Sequence, residues 1–584
     1  MEVVKIIENE VSSYIDHDAE ISEGVRFSTY KLIKRIGIFK NRYYPTGKIT
    51  KEGEYKHWFD IIGPRVNSEV KNLRFSSKNI LPFSINPIGD FAAVFILHAA
   101  LGQWMWDSGR EDELTDTIER FSGDGNVLFK KVKGGYDTCD FDNTYIINQA
   151  AKTVDETPIV QRAQMTQSQL RAMSGVWKNI DEVIRDCGNR SFKKTSKTTG
   201  EATTNPLYEV YERNGEISEK ALFEAQGKEG GSTDKYLLAR VVVAGISSNK
   251  QDKKYALFAE ALSGKMSDYF VEAHRGAYKG RWWREGLYEM LFDHQYRANE
   301  IGNQLARGLD WASRVIFKDP DARVVQNIRT DIRNGQIIKS ANLAQVEVRM
   351  QGLDQLIADW NRLMADADRI ANSFEVIQGD TLPANTPFQL GQLLDTNASK
   401  LFIVLRGKLG HAYARVYREF VLSTLVKDIR AKDIVEVTGD AQFIDRFRLI
   451  AVEGWYVSNL AKIGPHGPEE AAALKQQKLL DLRQTDPLIE NAKEIWDGVL
   501  KRIRITITGE NYDTSENLQT IASVLQFETD PVRRAFLLDT IYTSKGIPVP
   551  PAAQPQAQGG QGGPDTKAQI EGIAGPAKKE PALA

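Results

Sequence analysis

Apolar positions along this chain change their period near residue 285. Before that point, short runs with a helical period are mixed with short runs of period two; after it, apolar residues recur at steps of three and four over spans of about thirty residues. Residues 1 to about 120 read as amphipathic helices joined by aromatic-rich turns, among them residues 21–33 and the run His57-Trp-Phe-Asp60. From Gly125 the pattern alternates, and residues 126–132, the turn Lys133-Gly-Gly135 and a return from Tyr136 predict a β-hairpin. Thr166-Gln-Ser-Gln is a capping sequence and predicts a helix from Thr166 to about Arg185. Residues 207–212 and 236–245 predict further strands, and the polar stretch 189–205 an exposed loop. Its Lys193, Lys194 and Lys197 suit either phosphate contact or plain solvation.

Beyond Glu285 the elements are long. In residues 285–317 Leu287, Leu291, Ala298, Ile301, Leu305 and Leu309 share a stripe, and in 343–374 Leu353, Ile357, Trp360, Met364 and Ile370 do the same. At about 1.5 Å per residue each predicted rod approaches ~50 Å. Between them, residues 318–342 predict a small α/β tip, with Asp319-Pro320 opening a short helix and 336–339 forming a strand. Residues 375–386 hold Gly379-Asp380 and Leu382-Pro383 and cannot continue a helix. Thr386-Pro387 then opens a third long helix reaching about 428, with kink points expected at Gly391, Thr396-Asn397 and the Gly407/Gly410 pair. Residues 434–438 and 502–508 alternate and could pair around helices between 441 and 499. A helical element is predicted from 515 to 545, and the Pro-, Gly-, Ala- and Gln-rich tail after it is expected to be disordered.

Composition narrows the function classes. With 584 residues, 41% of them hydrophobic, the chain can bury several cores. Its 76 Lys and Arg oppose 78 Asp and Glu, which excludes the strongly basic surface of a protein that wraps nucleic acid, so any DNA contact is local or weak. Cys139 and Cys187 lack metal or redox spacing and imply a reducing compartment. The longest apolar run, 91–101, is about half of the roughly 20 residues that cross a bilayer, and Met1-Glu-Val-Val-Lys5 does not open a signal peptide.

Catalytic motifs are missing. The Gly-Lys pairs at Gly47, Gly227, Gly264 and Gly407 are not followed by Ser or Thr, so there is no Walker A loop. There is no His-Glu-x-x-His and no Gly-x-Ser-x-Gly, and Asp16-His17-Asp18, the nearest approach to a metal cluster, reads as an exposed terminal segment. The chain is therefore read as a non-enzyme with no cofactor, no metal and no catalytic residue. Arg275, Lys279, Arg281 and Arg284 surround Trp282-Trp283. Either this is a basic patch interleaved with aromatics that grips nucleic acid, or the tryptophans are buried anchors with the cations as a solvated rim.

The order of these elements resembles that of portal proteins of tailed bacteriophages, in particular podovirus-like and crAss-like families. Gly280-Arg-Trp-Trp-Arg-Glu-Gly-Leu-Tyr-Glu-Met-Leu-Phe-Asp-His-Gln-Tyr-Arg-Ala-Asn-Glu-Ile-Gly-Asn303 resembles their approach to the first stem helix. Gly379-Asp-Thr-Leu-Pro-Ala-Asn-Thr-Pro-Phe388 with Asn397-Ala-Ser-Lys-Leu401 resembles a tunnel loop and tunnel helix. Residues 27–32, 143–158 with Thr153-Val-Asp-Glu-Thr157, and Asp530-Pro-Val-Arg-Arg534 add to a similarity over residues 20–545, carried by the ordered set rather than by one motif.

The resemblance implies a predominantly helical α+β portal fold: wing (1–284, and 387–508 with a long kinked tunnel helix), stem helices (285–317, 343–374), clip (318–342), tunnel loop (375–386) and crown (509–545). The tail 546–584 has no counterpart in it. It further implies a homo-oligomeric ring of about twelve copies at the capsid vertex, repeating each channel-facing group around the DNA. Double-stranded DNA would pass through it during packaging, retention and ejection. The implied partners are the terminase large subunit, the major capsid protein and a head–tail adaptor protein, with no membrane; the implied location is the virion, and the host cytoplasm during assembly. In the tunnel loop Gln378, Asp380, Thr381 and Asn385 would touch the DNA backbone without binding it tightly, and Asp354, Asp359 and Asp366 would line the stem channel. The competing expectation is a different virion scaffold, such as a head–tail adaptor or an internal protein.

Overall fold

A computed structural model describes residues 2–49, 55–75, 80–85, 91–187, 207–246, 253–313, 316–318, 328–329, 344–346, 352–372, 388–428, 467–484 and 500–507, with a few isolated positions. Nearly all belong to the first of two compact units, Met1–Gly509; the second is Glu510–Ala584. The architecture is mixed α and β.

Helix α1 (Glu2–Asp16) buries Val3, Val4, Ile7, Val11 and Tyr14 on one face. A ribbon of β1 (Ala19–Ser22) and β2 (Val25–Phe27) leads to α2 (Thr29–Lys40), capped by the Ser28 hydroxyl accepting from Lys31 N. Then follow α3 (Ile62–Leu73), β3 (Ile80–Ser84), α4 (Phe91–Asp107) and α5 (Arg110–Gly123). The predicted hairpin forms as β4 (Asn126–Val132) and β5 (Gly135–Thr138), and β6 (Thr144–Ile146) and β7 (Ile159–Thr166) come next.

The expected helix from 166 to 185 is two helices, α6 (Gln167–Ala172) and α7 (Ile180–Asp186). Thr166 does cap α6, in a reciprocal box with Gln169, but the chain turns between them and reaches α7 through Asn179 at φ 57°. β8 (Leu207–Ser218), α8 (Glu219–Gln226), β9 (Tyr236–Ala244), β10 (Tyr255–Ala261) and β11 (Phe270–His274) complete this part.

Strands β10-β9-β8-β7-β6 form one antiparallel sheet, buried on both faces. Tyr211, Val241 and Val243 face α1 and α8, while the intervening Val210, Val242 and Ala244 face α6 and α7. Strands β11-β4-β5 form a second sheet between two further cores: Val127 and Phe129 point to one, Leu128 to the other.

The helical part departs from the periodic reading at its ends. Residues 285–317 contain α9 (Leu287–Met290), α10 (Phe292–Ser313) and a strand, β12 (Ile316–Lys318). β13 (Ile328–Arg329) and β14 (Ala344–Val346) flank β12, both antiparallel to it. The second rod is therefore shorter than its apolar pattern: α11 (Leu353–Ala371) starts after Gly352 at φ 110°. Ala344-Gln-Val346 suits either period over three residues, and pairing with β12 decides for the strand.

α12 (Phe388–Val416) runs through Gly391, Thr396-Asn397, Gly407 and Gly410 as α-helix. Its change of pitch lies further on, in a π-helical turn at Tyr417–Val421 that leads into α13 (Leu422–Asp428). Phe402, Leu405, Leu409, Tyr413 and Val416 press this helix onto the face of β4 that carries Phe129. α14 (Pro468–Gln484) and β15 (Ile503–Ile507) follow. β15 pairs with β3, from Ile503 opposite Ser84 to Ile507 opposite Ile80. The expected partner segment, 434–438, lies outside the described residues, as do 189–205, 375–386, 515–545 apart from Leu525, and the tail. No helix among the described residues is long and apolar enough to cross a membrane.

Candidate functional site

The segment from His274 to Asn303 is where the sheet region passes into the long helices, and several of its polar side chains are buried: Arg275, Arg281, Arg284, Gln295 and Asn299. Trp282 and Trp283 are each 1% exposed. Phe141 packs against both, and the Trp282 indole donates to Glu272 Oε2 at 2.7 Å. The cations around them are not a solvated rim. Arg275 forms a two-pronged pair with buried Glu69 at 2.8 and 3.0 Å, and Arg281 binds Glu289 at 2.6 Å. Arg284 donates to the carbonyls of Arg281 and Lys152; Lys279 alone stays in water, paired with Glu285. Buried, with Arg275 and Arg281 paired to carboxylates and Arg284 spent on backbone carbonyls, these arginines do not present the exposed basic patch that the sequence left open.

Asn126 organises the junction. Its amide nitrogen donates to the carbonyls of Asp124 and Arg284, and its oxygen accepts from Arg284 N at 2.9 Å. That orientation turns the same oxygen toward His274 Nδ1 at 2.8 Å, so Nδ1 carries the hydrogen. Nε2 is left 3.3 Å from Glu272 with no hydrogen bond. Burial lowers the pKa of His274 against the pull of Glu272, with Arg284 and Lys408 adding to the depression. The two backbones touch here: a Cβ on Gly286 would stand 2.2 Å from Gly123 O, and Gly125 holds φ 78°.

α10 then fixes an irregular segment by side chains alone. Gln295 Oε1 accepts from Ile61 N and Ile62 N, Asn299 Oδ1 from Phe59 N, and Asn303 Oδ1 from His57 N at 2.8 Å. Gln295 and Asn303 donate back to the carbonyls of Phe59 and His57. Spaced four residues apart, the three amides stand on one face and pair with residues 57–62 as a strand would. Gln295 is fully buried and Asn299 6% exposed. The apolar stripe missed this ladder; the signal was Gln295-x-x-x-Asn299-x-x-x-Asn303, amides where a solvated face carries charges.

Of the expected channel carboxylates, Asp354 is exposed on α11. Asp359 is bound by Arg297 of α10 at 3.2 Å, and Asp366 lies 3.5 Å from Arg369. Asp359 thus sits on the edge of α11 facing α10, while Asp366 and its partner Arg369 are on an exposed part of α11. Arg65 of α3 ties the same pair inward through Asp368 at 2.8 Å. Gln378, Asp380, Thr381 and Asn385 lie outside the described residues.

The chemistry on offer is modest. Among the described residues no three His, Cys, Asp or Glu side chains gather as a metal site. Asp18 of the Asp16-His17-Asp18 run pairs with Lys31. Burial pushes the Cys139 thiol up to about 12, which removes it as a nucleophile. No family model matches this chain, and no curated protein matches it.

Proposed function

We propose that this chain is a portal-type subunit, a ring-forming structural protein through which double-stranded DNA is moved. The observation that carries the reading is the order helix, β-ribbon, helix: α10 runs into β12, β12 pairs antiparallel with β14, and the chain returns in α11. A helical hairpin tipped by strands and rooted in a buried polar junction is a stiff lever, suited to a stem held by its neighbours. A ring repeats every channel-facing group, so even Asp354 alone would form a circle of negative charge past which phosphates slide without being trapped. Residues 375–386, with Gln378, Thr381 and Asn385 neutral and Asp380 acidic, would give the channel a polar surface of low affinity. Assembly with a terminase, a capsid protein and an adaptor at the capsid vertex belongs to the same proposal.

Electron microscopy of the purified full-length protein tests it. Closed rings with a central opening wide enough for duplex DNA are expected; monomers or solid assemblies at all concentrations would sink the reading. Lacking a nucleotide-binding loop, the same preparation is expected to show no DNA-stimulated ATP hydrolysis, measured by phosphate release.

A further inference from the structure

An open groove of about 620 Å³ runs beside the amide ladder, between α2, residues 43–46 with Lys56 and Trp58, and the outer face of α10. Its wall is aromatic: Phe292, Phe39, Trp58 and Tyr44 succeed one another with ring centroids 4.6, 5.9 and 5.3 Å apart. Tyr43 and Tyr296 also line it and are 52% and 68% exposed, with unspent ring faces. The charged groups nearby are already engaged. Lys56 donates to Thr46 Oγ1 and Gly47 O above the Tyr44 ring, and Glu300 is held by Arg297. Such a site selects for flat apolar rings rather than for charge.

That chemistry describes a proline-rich segment. In the polyproline II conformation pyrrolidine rings stack against tyrosine and tryptophan, carbonyls are free to accept, and little conformational entropy is lost on binding. This sequence contains one: Pro548-Val-Pro-Pro551, followed by Pro555, in the tail to which neither the apolar pattern nor the family resemblance gave a role. Residues 508–547 separate it from Ile507. At ~3.3–3.6 Å per residue such a length reaches up to about 130–140 Å, so chain length does not restrict it to one neighbour. We propose that the groove bordered by Tyr43, Trp58 and Tyr296 is a docking site for the proline-rich segment 547–555 of a second copy of this chain. The inference stands apart from the ring reading, since recognition of the segment can be measured whatever assembly the chain forms.

The test uses full-length protein whose own segment is silenced by Pro548→Ala, Pro550→Ala and Pro551→Ala, titrated with a fluorescent peptide of residues 546–557. Saturable binding is expected, about tenfold weaker in Tyr43→Ala or Tyr296→Ala hosts, whose exposed rings are removable without touching a core. A peptide with the same three prolines replaced by alanine should not compete. Equal binding by both peptides, or unchanged affinity in both tyrosine variants, overturns the site. A photo-cross-linker at position 43 in co-assembled light and heavy isotope chains identifies the donor. Mixed-isotope cross-links to 546–557 are expected, whereas same-isotope cross-links alone, or cross-links to another part of a second copy, overturn the assignment of the occupant.

Discussion

Arg275 and Glu69 show what single residues do in this fold. Glu69 is 1% exposed, and its carboxylate meets the guanidinium at 2.8 and 3.0 Å. Glu69→Gln leaves a buried cation without its counter-charge, and a loss of about 3–5 kcal/mol is expected, read as a lower urea midpoint. The double variant Glu69→Leu, Arg275→Leu should recover much of that loss, because it also removes the desolvated charge. His274 makes stability depend on pH. Its folded pKa lies below the ordinary 6.5, so its contribution is complete above that pH. As pH falls through 6.5 the unfolded chain takes the proton first and stability drains away until the folded value is passed. Asp124 and Glu289, both raised by burial, act with the opposite sign nearer the carboxylate range. Melting temperature measured between about pH 5.5 and 7 should therefore fall on acidification in the parent and fall less in His274→Gln. None of this was legible in the sequence: Arg275 and Arg281 are arginines in either reading, and only the placement of Glu69 and Glu289 decides that they are buried pairs.

At the scale of elements, legibility follows from how local the cause is. The β4–β5 hairpin was readable because its alternation and its Gly134-Gly135 turn are contiguous, with both glycines at positive φ. α10 and α11 were readable because one face of each is apolar, and the same argument overran their ends, where strand pairing across the tip takes over. β3 was not readable: Pro82 interrupts an already short run, and the strand exists because β15 pairs with it from far along the chain. The amide ladder belongs here too. Gln295→Leu removes the acceptor for Ile61 N and Ile62 N and the donor to Phe59 O, leaving backbone groups unsatisfied at about 1–3 kcal/mol. Amide exchange at residues 57–62 is expected to rise while exchange in the β6–β10 sheet stays unchanged; uniform acceleration would mean that the ladder is not a local fastener.

For the whole molecule, the apolar groups that the folded chain leaves in water are the places at which the proposed subunit contacts can be tested. Leu309 on α10 is 61% exposed and Ile357 on α11 is 47% exposed, while Ala298, Ile301, Ala367 and Ala371 of the same helices are buried. Leu309→Asp and Ile357→Asp are expected to leave circular dichroism and melting unchanged and to abolish rings in the electron microscope; intact rings from both would separate these positions from any subunit contact. The proposed channel residues were the least accessible part of the sequence reading, since which face of a rod would meet DNA in a ring depends on neighbours that periodicity does not encode. The pairing of β3 with β15 has one more consequence, visible in time rather than in space. Strand β3 leaves the ribosome more than four hundred residues before Ile503 does. At ~5–20 residues per second it waits about 20–80 s for its partner, with Ile80, buried in the finished fold, still uncovered. That interval is an opening for a holding chaperone, and the last of the described strands to emerge is the one that closes it.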